Sequence, residues 1–165
     1  MKSEHPGKRP EDPFHRPTLS TAVFYRDPAR MLDWLGRAFG FRLILRITDQ
    51  EGNLRHAAMA LGEGEIMVGS EWDTWTASPA STSGRNTQSI HVLLGSGLEA
   101  HCASARARGA RILQEPTDEF WGDRVYRALD PEGHVWTFAE NIRRVSREEA
   151  ERASGLRIEG SWPEP

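Results

Sequence analysis

Residues 130–138 read Asp-Pro-Glu-Gly-His-Val-Trp-Thr-Phe, which predicts a tight turn followed by an apolar β-strand. Pro131 presets its own backbone angle and Gly133 accepts a positive φ, so the first four residues suit a turn. The run from Val135 to Phe138 then supplies the β-branched and aromatic side chains that favour a strand. A hairpin is therefore expected near the end of the patterned part of the chain.

The hairpin has a counterpart earlier in the chain. Sliding the sequence along itself by 69 residues aligns Glu63-Gly64 with Glu132-Gly133. The same offset also aligns Ser20/Ser89, Val23/Val92, Ala38/Ala107, Gly40/Gly109, Arg42/Arg111 and Arg55/Arg124. A gapless offset that persists over this length indicates a duplicated structural unit.

Each copy of the repeat predicts the order strand, helix, strand, strand, strand. The signals are β-branched or alternating apolar residues for the strands, and apolar residues at helical spacing that end at a glycine for the helices. The first copy has strand 19–25, helix 28–39 and strands 41–47, 55–61 and 65–70. The second copy has strand 88–94, helix 98–108 and strands 111–114, 123–130 and 134–140. The predicted fold class is α+β, with two βαβββ modules.

The pattern divides the chain into five segments. The modules span 18–70 and 88–143, and a linker rich in Ser, Thr and Pro, 71–87, joins them. The N-terminal tail, 1–17, has no periodicity, which predicts an extended or disordered segment. The C-terminal segment, 144–165, contains Ser146-Arg147-Glu148-Glu149, a capping box that predicts a short helix.

Composition excludes several classes of protein. The 165 residues are 38% hydrophobic, which is enough for a core, and 21 Lys and Arg against 24 Asp and Glu give a net charge of −3. Without a basic stripe, nucleic acid is not an expected partner. No apolar stretch approaches the roughly 18 residues of a membrane span, and no signal peptide is apparent, so we expect a soluble cytoplasmic protein.

The turn Asp130-Pro131-Glu132-Gly133 and its strand resemble the closing hairpin of the vicinal oxygen chelate proteins, the glyoxalase and bleomycin-resistance superfamily. The stretch from Tyr25-Arg26-Asp27-Pro28 to Phe39-Gly40-Phe41 resembles the first strand-helix unit of that family, and residues 101–113 resemble the second. The resemblance covers roughly residues 18–143. It implies a half-open, barrel-like mixed sheet around a small-molecule pocket, in a protein that forms a homodimer.

The resemblance also implies up to four metal ligands, from the first and last strand of each module. Transferred to this sequence, the four positions are Ser20, Val68, Ser89 and Thr137, with His91 replacing Ser89 if the strand is shifted in register. Valine and neutral hydroxyls are poor ligands for catalytic divalent metals, which favour imidazole and carboxylate groups. We therefore expect no metal and no cofactor.

Two aromatic segments are candidates for the ligand site. Trp72 and Trp75 open the linker, and Phe120 and Trp121 precede a strand of the second module; carboxylates flank both pairs. Such a mouth, with His91 at its floor and Thr137 on the adjoining strand, suits a flat or cationic ligand. Equally, the aromatic residues could cover a dimer contact or shield the barrel.

The sequence favours a metal-independent small-molecule-binding protein that resembles the bleomycin-resistance branch and sequesters an organic ligand, such as a drug or a metabolite. One alternative is a glyoxalase-like lyase or isomerase, metal-free or with an unrecognised ligand set. His91 or Glu140 could then act as acid or base, but the sequence pairs neither with a partner. Another alternative is an interaction module whose tryptophan loops meet a protein.

Overall fold

The computed structural model describes residues 12–163, so most of the predicted N-terminal tail, residues 1–11, lies outside the described residues. The strands are β1 (Thr21–Tyr25), β2 (Arg42–Thr48), β3 (Leu54–Leu61), β4 (Gly64–Ser70), β5 (Ile90–Leu94), β6 (Arg111–Asp118), β7 (Asp123–Leu129) and β8 (Val135–Asn141). The helices are α1 (Pro28–Phe39), α2 (Leu98–Ala107) and α3 (Arg147–Ser154), and a short 3-10 turn lies at Pro79–Ser81.

Each repeat forms one four-stranded mixed sheet with a helix on one face. The strand order is β1-β4-β3-β2 in the first sheet and β5-β8-β7-β6 in the second. In both sheets the first strand pairs in parallel with the last, and the other pairs are antiparallel. The predicted α+β fold of two βαβββ modules is confirmed, and each sheet is open rather than closed into a barrel.

The main core lies between the sheets and the helices α1 and α2, which contact each other. Phe39 ends α1 in the middle of this core, and its ring lies 5.3 Å from that of Trp136 and 4.8 Å from that of Phe138. Helix α1 ends here because Gly40 adopts a left-handed conformation, φ 80°, which glycine accepts at little cost. An aromatic residue of the first module thus packs on the last strand of the second.

A buried carboxylate joins the modules. Asp130 is 4% exposed and accepts hydrogen bonds from the Tyr25 hydroxyl at 2.7 Å and from Trp136 Nε1 at 3.0 Å. It also accepts from the backbone N–H groups of Glu132 and His134, both at 3.0 Å, which holds the turn. The aspartate of the predicted turn therefore stabilises the hairpin and the contact between modules together.

The neighbouring carboxylate, that of Glu132, reaches the first module as well. It accepts from the backbone N–H groups of Arg26 at 2.7 Å and Asp27 at 3.0 Å, where helix α1 begins. It also accepts from the Ser78 hydroxyl at 2.7 Å. Glu132 therefore ties the second hairpin to the start of α1 and to the linker.

A histidine makes a third link between the modules. His101 on α2 donates from Nε2 to the Phe39 carbonyl oxygen at 3.1 Å, and its Nδ1 accepts from the Tyr126 hydroxyl at 2.6 Å. Burial lowers the pKa of His101, because the charged imidazole would lose its hydration. Burial therefore favours the neutral ring at this contact.

The C-terminal segment covers part of the second sheet on the face away from α2. Val125 and Ala139 are register partners on that face, and both are fully buried although they lie outside the main core. Val145 and Ala150 are equally buried outside the core, and the N–H of Arg143 donates to the Gly122 carbonyl oxygen at 3.2 Å. The C-terminal segment is therefore held against the second sheet at Gly122. Within residues 12–163, no helix is long and apolar enough to cross a bilayer.

Candidate ligand-binding site

Four polar side chains form a row across the helix-free face of the second sheet. His91 on β5 pairs with Thr137 on β8, Thr137 pairs with Arg127 on β7, and Arg127 pairs with Gln114 on β6. Side chains alternate along a strand, so this row points away from the core that contains Phe138. The structure therefore brings the predicted residues His91 and Thr137 together and adds two that sequence reasoning missed.

The added residues make the row cationic at its centre. Arg127 donates from Nη1 to Gln114 Oε1, and Gln114 in turn donates to Glu119 Oε1 at 3.3 Å. Among the described residues, Arg127 forms no salt bridge with a carboxylate. The pairing of Arg127 with Thr137 follows from the length of the β7–β8 connection. The sequence predicts the Asp-Pro-Glu-Gly turn but not the exact number of residues in that connection, so Arg127 could not be assigned to the row.

A cavity of about 620 Å³ lies between the two modules. We call it the seam cavity. It is lined by Leu19, Thr21, Phe41 and residues 61–66 of the first module and by residues 89–93 of the second. Its volume lies within the range of small-molecule pockets, roughly 300–1,000 Å³. His91 is the one predicted ligand-binding residue that lines it, at the end of the polar row.

A second cavity, of about 530 Å³, lies on the helix-free face of the first sheet. Its polar lining includes Ser20, His56 and Glu65, and residues 12–18 cross it. Asp12 and Arg16 hold this crossing segment together through a salt bridge of 2.9 Å. Their hydrogen bonds keep the pKa of the Asp12 carboxyl well below its usual value.

The aromatic residues form two separate edge-to-face pairs. The ring centroids of Trp72 and Trp75 are 4.5 Å apart, and those of Phe120 and Trp121 are 4.9 Å apart. The first pair follows Glu71, whose carboxylate accepts from the N–H of Ser78, and this loop contacts the turn at the end of β7. The second pair lies at the start of β7. A strand of seven residues spans about 20 Å, so one chain does not bring the two pairs together.

The loop that carries the tryptophans is held firmly although its rings are exposed. Thr76 is 4% exposed, and its hydroxyl accepts from the N–H groups of Trp72 and Asp73, both at 3.1 Å. Trp72 and Trp75 are 59% and 67% exposed. A ring pair that is already ordered loses little conformational entropy when it stacks on a ligand or on another protein.

One of the four implied metal positions is corrected by the strand register. Val68 lies in the core, 1% exposed, and Met67 takes the helix-free face of β4 instead. The cause is a connection that is one residue longer in the second module. The third strand pairs Ala57 with Val68 in the first module but Tyr126 with Phe138 in the second. The constant offset therefore fails at the last strand.

The residues at the four positions do not fit a catalytic metal. They are Ser20 and Met67 in the first module, and Ser89 and Thr137 in the second, with His91 as the alternative to Ser89 on the same face of β5. Neutral hydroxyls and a thioether, with at most one imidazole, are not a set that Zn²⁺ or Fe²⁺ prefers. Within residues 12–163, no group of three His, Cys, Asp or Glu side chains is placed to hold a metal ion.

The fold and the site define a class, a two-module α+β protein with a cavity at the seam of its modules. The chain belongs to the Glyoxalase/Bleomycin resistance protein/Dioxygenase superfamily, whose sequence profile matches residues 19–138. The predicted resemblance to this superfamily is confirmed.

Three similar proteins illustrate the range of the match. An uncharacterized protein of Mycobacterium bovis is 26% identical over 147 residues, which cover 87% of this chain and 96% of that protein. The crystal structure of TioX from Micromonospora sp. ML1 is 36% identical, with a TM-score of 0.62, and the match covers 75% of this chain and 98% of TioX. TnmS3, an antibiotic binding protein from Streptomyces sp. CB03234, shares the fold at 18% identity, with a TM-score of 0.58 and coverage of 74% and 93%.

Proposed function

We propose that this chain is a metal-independent binding protein that holds a small organic ligand in the seam cavity. The observation that carries the proposal is the cavity itself, of about 620 Å³, with residues of both modules in its wall. The cavity lining is largely apolar, and His91 belongs both to this lining and to the polar row. An apolar cavity with a polar group at one side suits an organic ligand with a few oriented polar groups. The description of TnmS3 as an antibiotic binding protein supports a sequestering role for the same fold.

A screen of organic compounds by thermal shift tests this function, and two matched histidine variants locate the site. His91→Ala is expected to weaken binding of a stabilising compound about tenfold, the effect of losing one polar contact. His56→Ala is expected to leave the affinity unchanged, because His56 lines the other cavity. A loss of affinity in His56→Ala alone would place the ligand under residues 12–18 and contradict the proposal.

We also propose that the aromatic pairs contribute to the site through a homodimer, since one chain keeps them at opposite ends of β7. In the dimer, Trp75 of one chain and Trp121 of the other would stack on a flat or cationic ligand. The double variant Trp75→Ala, Trp121→Ala is expected to stay folded and to bind several-fold more weakly, at about 1 kcal/mol for each ring. Titration by intrinsic fluorescence measures this. Unchanged affinity in a folded, dimeric double variant would assign both pairs to packing or assembly.

Protein purified without a chelator is expected to carry no stoichiometric Zn, Ni, Mn or Fe. The reason is the donor set at the four implied positions, in which His91 is the single imidazole. Elemental analysis of the dialysed protein measures the content. About one metal ion per chain, lost in His91→Ala, would overturn this prediction and favour an enzyme of the glyoxalase class.

A further inference from the structure

The seam cavity runs along the edge of a strand rather than along one face of a sheet. Residues 89–93 line it without a gap. Successive side chains of a strand point to opposite faces, so five consecutive residues reach one cavity only if it faces the open edge of the strand. A ligand in the seam cavity would therefore contact the backbone N–H and C=O groups of β5 as well as its side chains.

The backbone on this edge of β5 is unpaired in the described structure. β5 is the first strand of its sheet and pairs with β8 alone. Among residues 12–163, no other backbone or side-chain group bonds to the N–H or C=O groups of residues 90–94. Leu93 is 69% exposed, so the edge is reached from solvent. An open edge of this kind is a template for a further strand.

The rest of the cavity wall combines negative charge with apolar surface. Among the described residues that line it, Glu63 and Glu65 of the β3–β4 hairpin are the only carboxylates, and there is no lysine or arginine. Phe41 and Ile66 are buried core residues that supply an apolar wall toward the helices. The cavity therefore complements a molecule with positive charge on one side and apolar groups on the other.

We propose that the seam cavity binds a short, extended, basic peptide or peptide-like compound that adds as a strand to the open edge of β5. The inference rests on the proposed function, that this cavity binds a ligand, and names the class of that ligand. Backbone hydrogen bonds to β5 supply affinity, and the alternation of the ligand's side chains directs its basic groups to Glu63 and Glu65. β5 has five residues, so a partner of about five residues matches its length.

The probe is a capped pentapeptide of alternating lysine and valine, titrated into the full chain. We expect the amide resonances of residues 89–93 to shift on binding. Two N-methylated forms of the probe, each methylated at a different alternate set of amides, provide the sharpest test. In an added strand only one set of amides faces β5, so one form is expected to bind at least tenfold more weakly and the other to bind like the parent.

Charge is tested with a pair of carboxylate variants. Glu63→Gln is expected to weaken binding of the lysine peptide about two- to fivefold, the usual size for one partly exposed ion pair. Glu63 lines the seam cavity alone, whereas Glu65 also lines the second cavity. Glu51→Gln, an equivalent change in the exposed β2–β3 turn, is the matched control and is expected to have no effect. A valine-glutamate pentapeptide is expected not to bind.

Four results would overturn the inference. They are no binding of the lysine peptide, equal binding of both N-methylated forms, amide shifts that leave residues 89–93 unaffected, and shifts in 89–93 that depend on protein concentration alone. The last would assign the edge to a second copy of this chain. If His91-dependent binding of small organic compounds persists in any of these cases, the proposed function stands and the peptide-like ligand class fails.

Discussion

Replacing Asp130 with alanine is expected to lower the free energy of unfolding by about 4 kcal/mol. The substitution removes the acceptor for the Tyr25 hydroxyl and for Trp136 Nε1, and both of these residues are fully buried. A buried donor without a partner costs roughly 1–3 kcal/mol, and two such donors remain after the change. The loss spans both modules, because Tyr25 ends β1 and Trp136 lies on β8.

Urea unfolding at neutral pH measures the loss. Asp33→Ala is the matched control, since Asp33 is exposed on α1 and accepts no hydrogen bond from another described residue. Its effect is expected to stay within about 0.5 kcal/mol. Asp130→Asn keeps one oxygen acceptor and should fall between the two. A loss of about 1 kcal/mol or less in Asp130→Ala would show that the turn carboxylate does not join the modules energetically.

Local patterns in the sequence were sufficient to predict the modules. Helix α1 begins and ends where the sequence indicates. Asp27 caps it by accepting from the N–H of Arg30 at 3.1 Å, and Gly40 ends it. These signals lie within one turn of the backbone they control, so a single sequence carries them. The repeat then indicates that the same unit occurs twice, which fixes the fold class.

Register between strands was less accessible from the sequence. The offset of the repeat predicts that Val68 corresponds to Thr137, but the longer β7–β8 connection makes Met67 the equivalent residue. A change of one residue reverses the face on which a side chain lies, because the period of a strand is two. Because the register between β7 and β8 could not be predicted, Arg127 was not predicted as a site residue, since its place in the polar row depends on its pairing with Thr137.

Contacts between distant segments could not be predicted. The aromatic residues look alike in the sequence, yet the structure places the two pairs at opposite ends of β7, because the linker folds back onto the second hairpin through Ser78 and Glu132.

The capping box at Ser146 predicts a helix, and α3 begins there, with the Ser146 hydroxyl accepting from the N–H of Glu149 at 3.2 Å. The capping box does not indicate which surface of the protein α3 packs against.

Replacing Gly122 with alanine is expected to lower the free energy of unfolding by about 3 kcal/mol, through strain and overlap together. Gly122 has φ +99°, a backbone conformation that residues with a Cβ atom rarely adopt. A Cβ at this position would also overlap the carbonyl oxygen of Arg143 and lie 3.0 Å from Val145 Cγ2. Since the overlapping atom is backbone, the chain from Arg143 onward must move away from the second sheet.

A second glycine separates the two contributions. Gly109 has φ +93°, but no described atom lies within 4 Å of the point that a Cβ would occupy, so Gly109→Ala carries the backbone strain alone, expected at about 1–2 kcal/mol. The excess in Gly122→Ala reports the contact between Gly122 and the C-terminal segment. That excess should be accompanied by faster hydrogen exchange in α3, because the segment that precedes α3 is displaced from Gly122 and the buried residues Val145 and Ala150 become exposed. Equal losses in the two variants, with unchanged exchange in α3, would show that the segment yields to the added methyl group at no cost.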